Sequence, residues 1–162
     1  MNKIFLITGG NIGDRQLNLE TAAVLIQNQI GTIVQSSKIY ETDAWGITNQ
    51  AVFYNQIHIV ESNFSAVEIL HKILKIEEKM GRVRTIKNAA RIIDIDILFF
   101  NDEVIHIPNL IVPHPEIINR RFVLMPLTEL APEMIHPVLK KNIFELLENC
   151  KDELNVMPIP EF

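Results

Sequence analysis

The sequence has little cysteine and few basic residues, and each shortage narrows what the chain can be. Its 162 residues contain one cysteine, Cys150, which excludes an internal disulfide framework and fits a reducing compartment. Fifteen lysine and arginine residues against 20 aspartate and glutamate residues give a net charge of −5, which disfavours binding of duplex nucleic acid. Glycine and proline, at 6 and 8 residues, are too few for a collagen-like or low-complexity chain.

The chain also has no long hydrophobic run. The apolar residues near its start stop after Thr8, which is too short for a secretory segment, and no stretch approaches the roughly 20 residues that span a membrane. We therefore expect a soluble cytoplasmic protein with no membrane and no nucleic-acid partner. A hydrophobic content of 48% supports a substantial core, and the length predicts a single domain over residues 1–162.

Hydrophobic periodicity predicts four strands and two helices within residues 1–100. The strands are predicted at 3–8, 32–42, 53–61 and 92–100, and the helices after Asp14 and after a capping box that begins at Ser65. This βαββαβ order is typical of a ferredoxin-like α+β sandwich. We expect a mainly antiparallel sheet with helices on one face and C-terminal additions, while loops that suit a ligand cover the other face.

The remaining segments are less regular. The second helix is predicted to bury a stripe made of Val67, Leu70, Ile73 or Leu74, and Met80. Short helices are predicted at 121–130 and 142–149. Three prolines predict irregular structure over 103–115, and the residues 158–160 are predicted to form a tail.

Two carboxylates stand out in the last predicted strand. Alternation places Asp94 and Asp96 side by side on one face, opposite the neighbouring isoleucines. Adjacent carboxylates on an apolar strand repel each other and are costly to desolvate. A cation such as Mg²⁺ would offset both effects, because it takes one or two carboxylates together with phosphate oxygens. The alternative is a solvated edge strand that carries two charges.

Positive charge is concentrated just before this strand. Seven of the 15 basic residues lie between positions 72 and 91, namely Lys72, Lys75, Lys79, Arg82, Arg84, Lys87 and Arg91. His114 and the Arg120-Arg121 pair add further donors. In an acidic chain this pattern favours a polyphosphate ligand, because guanidinium groups match phosphate oxygens. The alternative for each of them is a solvated surface charge.

Two weaker features are an acid on an apolar helix face and a set of aromatic residues. Glu77 lies on or beside the predicted buried stripe, so it needs a neighbouring cation, a ligand, or an active arginine to orient. Trp45, Phe53 and Phe122 could enclose a flat heterocycle, and Asn55 shares the strand face of Phe53 and could read the edge of the ring. Ordinary core packing is the alternative for the aromatic residues.

These segments together resemble the 6-hydroxymethyl-7,8-dihydropterin pyrophosphokinase family of folate biosynthesis. The resemblance rests on an opening Gly-Gly-Asn-Ile-Gly-Asp, on Tyr-Glu-Thr and Phe-Tyr-Asn, on an Arg-x-x-Asp-x-Asp strand and on Pro-His-Pro followed by Asn-Arg-Arg-Phe. It extends from about residue 3 to residue 137. It implies the same ferredoxin-like fold that the element order predicts.

The resemblance also implies a reaction. The hydroxymethyl group of a reduced pterin attacks the β-phosphorus of MgATP, pyrophosphate is transferred whole, and AMP leaves. By this resemblance ATP is the co-substrate, and two Mg²⁺ ions are held by Asp94 and Asp96. We expect a monomer whose partners are these small molecules.

The resemblance assigns roles to individual residues. The implied catalytic residues are Arg82, Arg84, Arg91, Asp94 and Asp96. The implied ATP-binding residues are Glu77, Arg82, Arg84, Arg91, His114 and Arg120, with Arg84 on a mobile catalytic loop. The pterin would lie between Phe53 and Phe122, and its edge would be read by Asn55 and by the backbone of Thr42, Asp43, Ala44 and Trp45.

Two other hypotheses fit parts of the pattern. A ferredoxin-like regulatory module would bind a small molecule without turnover, but it does not need paired aspartates and converging arginines. A metal-dependent nuclease or nucleotidyltransferase would use Asp-x-Asp, but it should carry a third carboxylate and a longer basic track. The net charge of −5 also argues against that second hypothesis.

Overall fold

The computed structural model describes residues 1–42, 51–82 and 90–160. The strands are β1 (Asn2–Gly10), β2 (Thr32–Ser36), β3 (Tyr40–Thr42), β4 (Phe53–Ser62), β5 (Asp94–Phe100), β6 (Ile105–Ile107), β7 (Leu110–Val112) and β8 (Val156–Pro158). The helices are α1 (Arg15–Gln29), α2 (Ala66–Lys79), α3 (Arg121–Leu130) and α4 (Ile143–Glu148), and a 3₁₀ turn spans Ile117–Asn119. The predicted βαββαβ order is confirmed, followed by a hairpin and two further helices.

The main sheet is antiparallel and has the strand order β5-β1-β4-β3-β8, with β2 also paired to β4. The first and last strands of the βαββαβ unit are therefore neighbours, as in a ferredoxin-like sandwich. Gly9 of β1 lies opposite both Asn55 of β4 and Asp94 of β5. Because neighbouring strands run in opposite directions, the end of β1 and the starts of β4 and β5 meet at one end of the sheet.

Helices cover both faces of the sheet. On one face, α1 and α2 close over an aliphatic layer that includes Ile4, Val60 and Ile95. On the other face, α3 and α4 pack against residues such as Phe5 and Ile57. The expectation that loops cover this second face is wrong for much of its length, because the C-terminal helices present apolar side chains to it.

Local sequence signals set the starts of the first two helices. The side chain of Asp14 accepts the N–H of Leu17 at 3.1 Å, and Ser65 and Glu68 form the predicted capping box. The apolar stripe of α2 differs from the prediction: its buried residues are Ala66, Ile69, Ile73, Ile76 and Glu77. Helical periodicity fits both of these adjacent stripes, and packing of the isoleucine face on the sheet decides between them.

Three segments differ from the prediction: one predicted strand is divided in two, and two segments predicted to be irregular contain strands. The stretch 32–42 forms two strands because the Ser37 hydroxyl accepts the N–H of Ile57 at 3.0 Å and interrupts the ladder. Residues 103–115 contain the β6–β7 hairpin, with Pro108 in its turn. The predicted tail forms β8, where Pro158 is tolerated on an edge strand.

Within the described ranges, no helix combines the length and apolarity needed to cross a membrane.

Candidate active site

The two aspartates of β5 lie in a pocket at one end of the sheet. In the ladder, Asp94 is opposite Gly9 and Asp96 is opposite Ile7, so both side chains are on the face covered by α3. We call this cavity the aromatic pocket; its lining includes Thr42, Phe53, Asn55, Asp94, Asp96 and Phe122. The predicted heterocycle-binding residues and the predicted metal ligands therefore share one space.

A second cavity, the long cleft, adjoins the aromatic pocket at the two aspartates. Its polar part is lined by these aspartates and by Glu77, Arg82, Arg91, His114 and Arg120. Its other end is apolar and lies between α2 and the β6–β7 hairpin, with Val67, Leu70, Leu74, Ile107 and Pro108 in its walls. The sequence pattern did not reveal this end, because it predicts these α2 residues in the core and an irregular segment in place of the hairpin.

Arginines and carboxylates form a tight cluster where the two cavities meet. Arg82 Nη1 donates to Glu77 Oε2 and to Asp94 Oδ1, both at 2.7 Å, and Arg91 Nη1 donates to Asp94 Oδ2 at 2.9 Å. Burial opposes the charge of Arg82, but the carboxylates of Asp94 and Glu77 outweigh it and raise the pKa of Arg82. Arg82 therefore stays charged, which suits an anionic ligand.

Glu77 connects helix α2 to strand β5. It is only 3% exposed and, besides Arg82, it accepts the N–H of Ile95 at 2.8 Å. Burial raises the pKa of Glu77, although the Ile95 N–H and the Arg82 charge oppose this effect. The neighbouring cation and the oriented arginine, which the sequence left as alternatives, are thus the same residue, Arg82.

The pKa of Asp96 is strongly affected by its surroundings. Burial, together with the negative charges of Asp94 and Glu77, raises the pKa of Asp96 to about 7. A bound cation would favour the charged form of this carboxylate. No group of three or more His, Cys, Asp or Glu side chains in the described part of the chain is placed to hold a metal ion. Two carboxylates fit Mg²⁺, which fills its coordination shell with water and phosphate oxygens.

The aromatic pocket contains two rings and two polar atoms in need of partners. The Cζ atoms of Arg91 and Arg120 lie 5.5 and 5.8 Å from the ring centres of Phe53 and Phe122. Thr42 Oγ1 and Asn55 Nδ2 are buried and have no hydrogen-bond partner among the described residues. Leaving a buried polar group unpaired costs about 1–3 kcal/mol, so these atoms favour a ligand with a hydrogen-bonding edge.

Gly9 makes room for the Asn55 side chain. A Cβ atom at Gly9 would lie 2.0 Å from Asn55 Oδ1, far inside the contact distance. The glycine of the opening motif is therefore required by the side chain opposite it in the ladder.

His114 is held as a neutral donor beside the cluster. Its Nδ1 accepts the N–H of Glu116 at 3.1 Å, and its backbone N–H donates to the Leu98 carbonyl at 3.0 Å. Burial and the positive charge of Arg120 lower the pKa of His114. Because Nδ1 accepts, the proton of the neutral ring is on Nε2, from which it can be donated to a ligand.

The structure groups most of the predicted site residues but divides the basic cluster. The predicted residues Asp43, Ala44, Trp45 and Arg84 lie outside the described residues. Lys72 and Lys75 line a separate groove beside Gly31 and Asn63, and Lys72 Nζ lies 4.2 Å from the Phe64 ring centre. These two lysines therefore do not join the cluster, because the helix directs them away from it.

Charged arginines beside paired carboxylates, where two cavities meet, are typical of enzymes that transfer a phosphate-containing group between two small molecules. The model of the 7,8-dihydro-6-hydroxymethylpterin-pyrophosphokinase (HPPK) family matches residues 5–132. The chain therefore belongs to this family.

Individual relatives agree with this assignment. The chain is 38% identical over 145 residues to 2-amino-4-hydroxy-6-hydroxymethyldihydropteridine pyrophosphokinase of Aquifex aeolicus (strain VF5), covering 90% of each. It is 40% identical over 136 residues to the Bacillus subtilis (strain 168) protein of the same name, covering 83% of this chain and 81% of the relative.

A solved structure supports the fold. Wild-type Plasmodium falciparum HPPK-DHPS with pteroate matches with a TM-score of 0.77 at 21% identity, over 91% of this chain and 44% of that one. The ferredoxin-like α+β fold predicted from the element order is confirmed.

Proposed function

We propose that the long cleft and the aromatic pocket together form the active site of this pyrophosphokinase. The enzyme transfers pyrophosphate from ATP to the hydroxymethyl group of 6-hydroxymethyl-7,8-dihydropterin in folate synthesis, as its family membership and relatives support. The main support for this location of the active site is that Asp94 and Asp96 line both cavities. In this proposal the two substrates would lie on either side of the same carboxylates.

In this proposal ATP occupies the long cleft. The adenine ring lies in the apolar end between α2 and the hairpin, against residues such as Leu70 and Pro108. The phosphates extend toward the basic residues of the polar part, which are Arg82, Arg91, His114 and Arg120. Charged guanidinium groups and the Nε2–H of His114 donate to phosphate oxygens and stabilise charge that develops during transfer.

The pterin occupies the aromatic pocket. Its ring lies between Phe53 and Phe122, and its polar edge pairs with Thr42 Oγ1 and Asn55 Nδ2, the buried atoms that otherwise have no partner among the described residues. The hydroxymethyl group then points toward the aspartates. Because a hydroxyl is a weak nucleophile, holding it in line with the phosphate supplies a large part of the rate.

Asp94 and Asp96 are proposed to hold two Mg²⁺ ions. When bound, Mg²⁺ neutralises phosphate charge and stabilises the charge that develops on the transferred group. In the structure, both oxygens of Asp94 pair with arginines. ATP phosphates that attract Arg82 and Arg91 would release these oxygens for metal binding.

Product analysis tests the proposed function. The protein is incubated with MgATP, with and without 6-hydroxymethyl-7,8-dihydropterin, and the nucleotides are separated. AMP that forms only with the pterin, without ADP, supports pyrophosphoryl transfer. ADP indicates an ordinary kinase, and a folded sample without turnover supports the small-molecule-binding module instead.

We also propose that residues 1–162 form one domain and act as a monomer. The support is that β1 and β8, which lie far apart in the sequence, belong to the same sheet. Light scattering that gives the mass of one chain at every concentration tested agrees with this proposal, and the mass of two chains contradicts it.

A further inference from the structure

Asn11 is buried and lines neither cavity, but it connects the backbone of two segments that enter the site. Asn11 follows β1 and is 5% exposed. Its Nδ2 donates to the Ala51 carbonyl at 2.9 Å, and its Oδ1 accepts the Arg91 N–H at 2.9 Å. Its own backbone N–H donates to the Arg91 carbonyl at 2.9 Å. One residue therefore holds both peptide groups of Arg91 and the approach to β4.

Ala51 and Arg91, to which Asn11 bonds, lead directly to side chains of the site. The Arg91 guanidinium pairs with Asp94 and lies 5.5 Å from the Phe53 ring centre. Ala51 stands two positions before Phe53, and the intervening Val52 carbonyl accepts from Arg15 Nη1 at 2.8 Å. The relative position of Arg91 and Phe53 therefore depends on the turn that contains Asn11.

Close backbone packing makes this connection stiff. A Cβ atom on Gly10 would lie 2.2 Å from the Ile92 carbonyl oxygen, so the 91–92 backbone packs directly against the end of β1. The Ile12 N–H also donates to the Arg91 carbonyl, at 3.2 Å. With so little free space, a change at Asn11 passes to Arg91 instead of being absorbed locally.

We propose that Asn11 is a positioning residue for the transfer reaction, which couples the backbone of Arg91 to the start of β4. The proposal rests on the proposed function of the site. The carboxamide suits this task because one planar group supplies both a donor and an acceptor. Aspartate supplies only the acceptor, and alanine supplies neither, so the two substitutions separate the two hydrogen bonds.

The test compares Asn11→Ala with Asn18→Ala as a matched control. Asn18 Nδ2 donates to the Ile12 carbonyl at 3.0 Å, in the same turn, and this bond does not involve Ala51 or Arg91. The measurements are kcat and KM for AMP formation and amide hydrogen exchange at Arg91 by NMR. We expect Asn11→Ala to lower kcat/KM for ATP about 10-fold or more and to speed exchange at Arg91, since misplaced catalytic groups cost large factors in rate. The control should stay within about twofold of wild type.

Asn11→Asp provides a second test if the alanine variant does not fold. It retains the acceptor for the Arg91 N–H but replaces the donor to Ala51 with a second oxygen. We expect the Arg91 amide to stay protected while KM for the pterin rises and KM for ATP stays near wild type.

Several outcomes would overturn the proposal. Wild-type kinetics in both Asn11 variants would remove the positioning role while leaving the proposed function intact. Loss of activity without faster exchange at Arg91 in the alanine variant, or with equal effects in the control, would show a general structural role. A wild-type protein that forms no AMP refutes the proposed function itself, and the positioning role is refuted with it.

Discussion

Single residues in this site carry charge where burial makes charge costly. The sequence located Asp94 and Asp96 because alternation along a strand is a local property. The structure adds their partners: two arginines hold Asp94, and Asp96 lies where burial and its acidic neighbours raise its pKa. A cation bound beside these carboxylates would therefore offset their negative charge.

Replacing Asp96 tests the metal assignment. Asp96→Asn keeps the shape but removes a carboxylate from the site, so we expect AMP formation to fall by at least about 10²–10³-fold. The melting temperature should be kept or should rise, because a buried negative charge is lost. Asp102→Asn, in the exposed turn after β5, is the control and should have wild-type activity. Near-normal turnover in Asp96→Asn would remove Asp96 from the proposed metal ligands.

Replacing Asn55 tests the pterin end of the site. In Asn55→Leu the buried amide is lost, and we expect KM for the pterin to rise roughly 10–100-fold with little change in KM for ATP, the effect of losing one or two buried hydrogen bonds. The free protein should not be destabilised by the loss of Nδ2, which is unpaired among the described residues. Asn63→Leu, exposed just beyond the other end of β4, is the control. Equal increases in both KM values would contradict this assignment.

At the scale of elements, strand β4 begins with side chains that line the aromatic pocket and buries a histidine in its interior. Phe53 and Asn55 at its start line the aromatic pocket, whereas His58 in its interior is 2% exposed. His58 Nδ1 is 2.7 Å from the Ser36 hydroxyl, and Nε2 is buried without a partner among the described residues. Burial lowers the pKa of His58 to about 4. The strand therefore tolerates only the neutral ring.

This burial predicts a pH dependence of stability. The unfolded chain binds a proton at His58 near pH 6.5, and the folded chain only near pH 4. The contribution of the neutral ring to the free energy of unfolding is therefore fully present above pH 6.5 and is lost as the pH falls toward 4. We expect the wild type to lose about 2 kcal/mol more than His58→Gln between pH 7 and pH 5. Urea unfolding at several pH values measures this difference, and His71→Gln, at an exposed position on α2, should behave as wild type. Parallel curves of unfolding free energy against pH for wild type and His58→Gln would contradict this role of His58.

At the scale of the whole molecule, antiparallel pairing gathers the site from distant parts of the chain. The end of β1 and the starts of β4 and β5 meet beside the start of α3. Substrate binding therefore bridges several elements and should stabilise the whole fold, by about 2.7 kcal/mol at a ligand concentration 100 times Kd.

Metal removal tests the proposed Mg²⁺ requirement on the intact protein. We expect ATP to raise the melting temperature more with Mg²⁺ than with EDTA, and AMP formation to stop in EDTA and return when Mg²⁺ is added in excess. In Asp96→Asn the Mg²⁺-dependent part of the ATP stabilisation should disappear, while Asp102→Asn keeps it. Full AMP formation in EDTA would contradict the proposed Mg²⁺ requirement.

The sequence by itself determined the order of the elements, the helix starts and the paired aspartates, because these follow from periodicity, capping and alternation between near neighbours. Tertiary structure alone decided which stripe of α2 packs on the sheet, and thus which residues form the apolar end of the long cleft with the hairpin. It also decided that Lys72 and Lys75 lie away from the site and that Asn11 joins Ala51 to Arg91. These features depend on register and packing between segments far apart in the chain, for which a local pattern has no signal.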